Sequence, residues 1–136
     1  MSAYTKAASF ILDTLWQDDG FREHFHRLGV SLADLGHLID SVFVPTYLWF
    51  KRSLDPADLA RLQKSVVVPL IIPLLRQPSF REMWEQWDQA TQLAFVREQT
   101  ELPLAKLLIQ VYHQQLDAAF RQAYARYSAQ AAGRRE

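Results

Sequence analysis

A glutamate and two histidines near the N-terminus are the first candidates for chemistry in this sequence. Glu23-His24-Phe25-His26 contains a Glu-x-x-His spacing, which places a carboxylate and an imidazole on one helix face. Dinuclear metal sites in helical bundles use two such motifs together with two further glutamates on facing helices. The sequence contains no second Glu-x-x-His. We therefore predict no metal site and interpret His24 and His26 as residues that flank a short surface helix.

Two other histidines share a predicted helix with an aspartate, an arrangement that could orient a general base. His37 lies near Asp40, and His113 precedes Asp117 by four residues. An imidazole held by a carboxylate can abstract a proton near neutral pH, although such a pair is more often a solvated contact on one helix. No glycine-rich phosphate loop, nucleophile elbow or zinc-protease motif accompanies them. We predict that the protein is not an enzyme and holds no cofactor.

Aromatic side chains suggest binding to a partner instead. Trp84 and Trp87 are three residues apart and are predicted to form a partner-facing patch, because large aromatics are enriched at interface hot spots. A second candidate interface is basic and aromatic and comprises Arg121, Tyr124 and Tyr127. It could meet an acidic partner or RNA. The alternatives are ordinary core packing for the tryptophans and a solvated helix end for the C-terminal residues.

The elements that position these residues are predicted to be helices. Only four glycines are present, which disfavours an all-β fold with its many tight turns. Gly29 is placed to end one helix, and Ser31 with Asp34 resembles a capping box for the next. Asp55 and Pro56 form an N-cap followed by a proline at the first helical position. Apolar periodicity predicts helices over residues 3–17, 21–28, 31–52, 55–76, 80–96 and 103–129.

Two of these helices carry a near-repeat at a shift of 24 residues. Residues 33–45 and 57–69 both follow the pattern Ala-Asp-Leu-x-x-Leu-x-x-Ser-Val-x-Val-Pro. The match is explained either by a common way of beginning an amphipathic helix or by an internal duplication. The uncharged segments that follow, 42–50 and 66–75, predict helices that are buried on most sides or lie against a partner, because they are apolar all round.

Three prolines are predicted inside these two helices. An interior proline removes a hydrogen bond and costs about 3 kcal/mol in a regular helix. A strand over residues 66–72 is the competing interpretation, which two prolines four residues apart disfavour. We predict that helices 31–52 and 55–76 form a central, kinked antiparallel hairpin. The bends either wrap a small core or shape a ligand pocket, whose candidate residues are His37, Ser41, Pro45, Tyr47, Trp49, Ser65, Pro69 and Pro73.

Composition narrows the class of protein further. Basic and acidic residues number 15 each, so the sequence has no strong signal for nucleic-acid binding. Cysteine is absent, which excludes disulfides and thiolate sites. The N-terminal apolar stretch is too short for a signal peptide, and no apolar run approaches the ~18 residues of a transmembrane span. We expect a cytoplasmic protein, with peripheral membrane contact through residues 66–75 as a lesser alternative.

The sequence therefore predicts an all-α, single-domain bundle of five to six helices over residues 1–130, followed by a flexible C-terminal end at 131–136. The predicted function is a non-enzymatic protein-interaction module, such as an adaptor, a regulator or a small subunit. We expect it to form homodimers or other homo-oligomers, because association would bury the apolar surface of the two largely apolar helices. The alternative is a sensor or carrier that binds an apolar small molecule between the kinked helices.

Overall fold

The computed structural model of the chain describes residues 2–133, which are helical with short connections. This confirms the all-α prediction. The number of helices is larger than five to six, since the described residues form eight α-helices and one π-helical turn. They are α1 (Ala3–Trp16), α2 (Asp19–Arg27), α3 (Leu32–Gly36), the π-helical turn (Ile39–Phe43), α4 (Val44–Ser53), α5 (Pro56–Leu75), α6 (Pro78–Gln86), α7 (Gln89–Val111) and α8 (His113–Gly133).

Helix α1 lies at the centre of the core. Its face of Ala7, Ala8, Ile11, Leu12 and Leu15 is almost fully buried. This helix packs against α7, α2, α3, α4 and the π-helical turn. The small alanines allow close approach of the neighbouring helices, and the larger side chains fill the space between them. The core is therefore organised around the first helix.

Side-chain caps fix where several helices begin. The Ser31 hydroxyl accepts a hydrogen bond from the backbone N–H of Asp34, whose carboxylate accepts from the backbone N–H of Ser31 at 2.8 Å. This is the predicted capping box. Asp55 caps α5 directly before Pro56, also as predicted. The cap of α2 is Asp18 rather than its neighbour Asp19.

Gly29 ends α2 in a left-handed backbone conformation, with φ 74°. A β-carbon at this position would meet nothing within 4 Å, so the conformation and not space demands glycine. We expect Gly29→Ala to lower the free energy of unfolding by about 1 kcal/mol in urea unfolding, because L-residues are strained there. Gly36→Ala is the matched control, since that glycine also has open space around its Cα but no positive φ. Equal stability of the two variants would contradict the assignment.

The prediction of one continuous helix over residues 31–52 is wrong. It is divided into α3, the π-helical turn and α4. Pro45 therefore lies in the first turn of α4 and not in the interior of a helix. The backbone N–H of Val44 donates to the carbonyl of Ile39, five residues back, so the wider turn comes just before the residue that has no N–H to donate. The other two predicted interior prolines, Pro69 and Pro73, do lie inside α5.

The predicted central hairpin is not formed. Helix α5 packs mainly against α7 and α6, whereas α4 packs against α8, α1 and the π-helical turn. The two copies of the near-repeat thus differ in structure, since one is interrupted and the other is a continuous helix. Pro69 and Pro73 lie inside α5, which packs against α7 and α6 and not against α4.

The C-terminal helices differ from the prediction in where they are separated. A break was expected near Thr100–Pro103, but α7 continues through Pro103 to Val111. Burial of Leu104 and Leu108 in the main core holds this part of α7 in place and offsets the bond that the proline cannot make. The chain turns instead at Tyr112. Helix α8 extends to Gly133, so residues 131–133 are helical, while 134–136 of the predicted flexible end lie outside the described residues.

Residues 56–99 form what we call the arm: α5, α6 and the first part of α7. Of these residues, all within the described part of the chain, Val66 alone is buried in the main core. Ile71 is also buried.

No helix within residues 2–133 combines the length and the apolarity that a bilayer crossing requires.

Candidate functional site

A buried polar cluster joins α4 to α7. The ammonium of Lys51 forms an ion pair with Glu101 Oε1, and the hydroxyl of Tyr47 donates to the same oxygen at 2.7 Å. Tyr47 and Lys51 are four residues apart, so their side chains lie on one face of α4. Glu101 projects from α7 directly opposite. Two donors from α4 therefore converge on one carboxylate oxygen from α7.

The cluster is shielded from bulk water. The side chain of Lys51 is 12% exposed and that of Glu101 is 7% exposed, whereas Tyr47 is fully buried. Burial and the adjacent Glu101 carboxylate raise the pKa of Tyr47, so its hydroxyl keeps the proton that it donates. Removing charges from water is costly unless they are paired and hydrogen-bonded. The hydrogen bond from Tyr47 contributes part of that compensation.

Aromatic rings cover the cations of this cluster. The Lys51 ammonium lies 5.4 Å from the centre of the Tyr4 ring and 4.9 Å from that of Tyr47. The Arg97 guanidinium lies 5.7 Å from the centre of the same Tyr4 ring. Such contacts are attractive because the ring faces carry partial negative charge. One tyrosine ring is therefore within cation–π distance of a cation from α4 and a cation from α7.

The cluster forms part of the wall of a half-open cleft of about 410 Å³ between α1, α4, α5 and α7. Its polar lining residues are Tyr4, Lys51, Gln63, Arg97, Thr100 and Glu101. Its apolar lining residues are Val66, Val67, Leu93, Val96 and Leu104. Polar and apolar side chains therefore contribute about equally to the lining, which suits a ligand that carries both kinds of group.

The structure brings one of the eight predicted pocket residues, Tyr47, into contact with this cluster. Trp49 is 52% exposed and lines a shallow groove against α8 instead. Ser41 lines another groove, beside Tyr127. The other five are exposed and are not gathered around one cavity: His37, Pro45, Ser65, Pro69 and Pro73.

The predicted patch of Trp84 and Trp87 is half-buried in an intramolecular cluster within the arm. The ring of Phe95 lies 5.4 Å from those of Phe80 and Trp87, and the two tryptophan rings are 6.0 Å apart. These contacts hold α6 against the start of α7. Part of each tryptophan is therefore occupied by packing, although neither is fully covered.

The second predicted interface lies on α8. Arg121 forms an ion pair with Asp117 at 2.6 Å and its guanidinium lies 5.7 Å from the centre of the Phe21 ring. Tyr124 packs against Phe25, whereas Tyr127 is 40% exposed. The basic and aromatic residues are thus largely engaged in tertiary contacts, and Tyr127 presents the most exposed ring.

Neither of the two histidine–aspartate pairs considered from the sequence is formed. Thr5 donates to the carboxylate of Asp40, and Arg121 pairs with Asp117. His113 lies instead beside Asp18, with Nε2 3.6 Å from the carboxylate. Within residues 2–133, no group of three or more histidines and carboxylates is arranged to hold a metal ion.

Sequence reasoning missed Lys51, Arg97, Glu101 and Tyr4. Lys51 lies near the end of the predicted helix 31–52, and Glu101 lies between the predicted helices 80–96 and 103–129. Fifty positions separate these two partners, so no local spacing indicates the pair. The one available signal is the tyrosine four residues before a lysine on an otherwise uncharged helix face, which suggests a polar group directed into the core.

A second candidate surface is the apolar face of α5, which we define as Val68 and Ile72. These side chains are 44% and 38% exposed. They are one turn apart and so lie on the same side of the helix. Met83 in α6 and Leu93 in α7 add exposed apolar area to the arm, at 43% and 55%.

Comparison with known proteins identifies no relative of this chain. No family model matches the chain, and no curated protein or solved structure matches it either.

Proposed function

We propose that this protein is a non-enzymatic protein-interaction module that self-associates through the apolar face of α5. The observation that carries the proposal is the exposure of two large apolar side chains one turn apart on α5, Val68 and Ile72. Contiguous exposed apolar surface is uncommon on monomeric soluble proteins and marks interaction sites. Adaptor, regulator and small-subunit roles are all compatible with such a module.

The surface area of the chain supports a stable interface. The chain exposes 8589 Å², which is about 1,300 Å² more than the ~7,300 Å² expected for a compact monomer of 15.8 kDa. A standard interface buries about 800 Å² on each partner. The excess is therefore large enough to supply one side of a dimer.

The chemistry of the arm favours a second copy of the chain as the occupant. Residues 65–75 contain no charged side chain, so two copies of α5 can meet without burying an unpaired charge. A two-fold interface brings the same patch of each subunit together. Val68 and Ile72 on one copy would pack against equivalent apolar groups on the other. Burial of these groups stabilises association because apolar area leaves water.

Concentration-dependent protection of a single cysteine tests this proposal. The natural chain has no cysteine, so Val68→Cys introduces one reporter on the proposed interface and Val111→Cys introduces a matched reporter away from the arm. Both positions are exposed, at 44% and 53%. We expect the alkylation rate at Val68→Cys to fall as protein concentration rises, while that at Val111→Cys stays constant.

Three results would contradict the proposal. The first is an alkylation rate at Val68→Cys that is independent of protein concentration. The second is protection that appears at low protein concentration only when anionic phospholipid vesicles are added, which would assign the α5 face to a membrane surface. Protection that requires a different protein would likewise replace self-association with a heteromeric interface.

A further inference from the structure

We propose that the cleft between α1, α4, α5 and α7 binds a small monoanionic amphipathic molecule, such as a medium-chain carboxylate. Its charged group would meet Lys51 and Arg97, and its apolar body would lie between α5 and α7. This site is separate from the self-association surface, and nothing in the proposed dimer requires it.

The charge of the cleft wall favours an anion. Two cations, Lys51 and Arg97, line it, and Glu101 is the one carboxylate among its lining residues. Glu101 is already engaged by Lys51 and by the hydroxyl of Tyr47. Within residues 2–133, no carboxylate lies within ion-pairing distance of Arg97. The cleft therefore carries one uncompensated positive charge, which a monoanion would neutralise.

The donors in the cleft are positioned to hold a carboxylate. An ammonium has three N–H donors, and Lys51 directs one of them to Glu101. Arg97 is stacked near the Tyr4 ring, which leaves the N–H groups at the edge of its planar guanidinium available for a bidentate contact. The Tyr4 ring lies near both cations. An anionic group placed between Lys51 and Arg97 would complete their hydrogen bonding.

The remaining walls indicate that the ligand also has an apolar part. Val66 and Val67 from α5 face the cleft together with Leu93, Val96 and Leu104 from α7. The volume of about 410 Å³ lies within the range of about 300–1,000 Å³ that small-molecule sites occupy. A simple inorganic anion would leave these apolar side chains in contact with water. A carboxylate with a short alkyl or aromatic body would cover them.

Octanoate is a suitable probe, titrated calorimetrically into the full-length protein below its micelle-forming concentration. We expect octanoate to bind at least about tenfold more tightly than octanol or octylammonium, because a charge-assisted hydrogen bond contributes about that factor. Arg97→Gln should raise the dissociation constant by about tenfold, and Arg97→Lys should recover part of the loss. Arg81→Gln is the control, since it removes an equally exposed charge from α6 that does not line the cleft.

A second variant keeps the test independent of the arginine. Leu93→Glu adds a carboxylate at a cleft-lining position that is 55% exposed, and it should abolish octanoate binding without unfolding the chain. Equal affinity for octanoate and octanol would overturn the proposal, as would an unchanged dissociation constant in Arg97→Gln. Binding that is lost in Val68→Glu/Ile72→Glu would also overturn it, because the probe would then be adhering to the apolar face of α5.

Discussion

Replacing Glu101 by glutamine is expected to lower the free energy of unfolding by about 3 kcal/mol, because it leaves the buried ammonium of Lys51 without a counter-charge. The glutamine keeps the shape of the side chain and can still accept the hydrogen bond from Tyr47. Lys51 is 12% exposed in its side chain, so water relieves only a small part of the loss. Urea unfolding at one fixed protein concentration measures the change as a shift in midpoint.

Two controls separate the buried pair from ordinary surface charge. Glu98→Gln breaks the ion pair with Lys6, whose side chains are about half exposed, and should cost no more than about 0.5 kcal/mol. The double variant Lys51→Met/Glu101→Gln should recover most of the stability, because it removes both buried charges together. A loss of less than about 0.5 kcal/mol in Glu101→Gln would contradict the importance assigned to this pair.

The double variant Val68→Glu/Ile72→Glu is expected to dissociate the proposed dimer. Each copy would bring two carboxylates into a surface that must be free of water, and their burial without partners is strongly unfavourable. We expect the dissociation constant to rise by at least about 100-fold, equivalent to ~2.7 kcal/mol. Both positions are exposed in the chain and glutamate has good helix propensity, so helix content by circular dichroism should be unchanged.

Val111→Glu is the matched control for this effect. Val111 is 53% exposed and lies at the end of α7, away from the arm. The Val111→Glu variant introduces the same chemical change on an exposed apolar residue, and it should leave the association state as it is in the natural chain. If the Val111→Glu variant dissociates as readily as the arm variant, the loss is due to general charge and not to the α5 face.

Local patterns in the sequence were sufficient for some helix boundaries, at the end of α2 and at the starts of α3 and α5. The capping box of Ser31 and Asp34 and the Asp55-Pro56 start of α5 involve residues no more than three apart. Gly29 was identified because its left-handed conformation is a requirement of one residue. Each of these signals depends on hydrogen bonds or dihedral angles within a single turn, so neighbouring residues contain all the information.

Features that depend on tertiary packing were not predictable in the same way. Pro103 was expected to begin a helix, whereas packing of Leu104 and Leu108 in the core keeps α7 continuous across it. The uncharged segment of α5 allowed either burial or contact with a partner, and the structure leaves much of it exposed. Periodicity cannot distinguish these outcomes, because a helix that is apolar on all sides gives no preferred direction.

The candidate site was the least predictable part of the molecule. Only Tyr47 among the eight pocket residues chosen from the sequence contacts the buried cluster. Those eight residues lie near the prolines of the two predicted helices, and they would enclose a pocket only if α4 and α5 packed together. Since α5 packs against α7 instead, the cleft contains residues of α7 that carried no local signal, including Arg97 and Glu101.

The mass of the natural chain in solution tests the central claim of self-association most directly. Sedimentation equilibrium over a range of protein concentrations should give a mass that rises from that of the 15.8 kDa chain to twice this value. The same measurement on Val68→Glu/Ile72→Glu should stay at the monomer mass throughout. A natural chain that remains monomeric at high micromolar concentration, or an arm variant that dimerises equally well, would contradict self-association through the apolar face of α5.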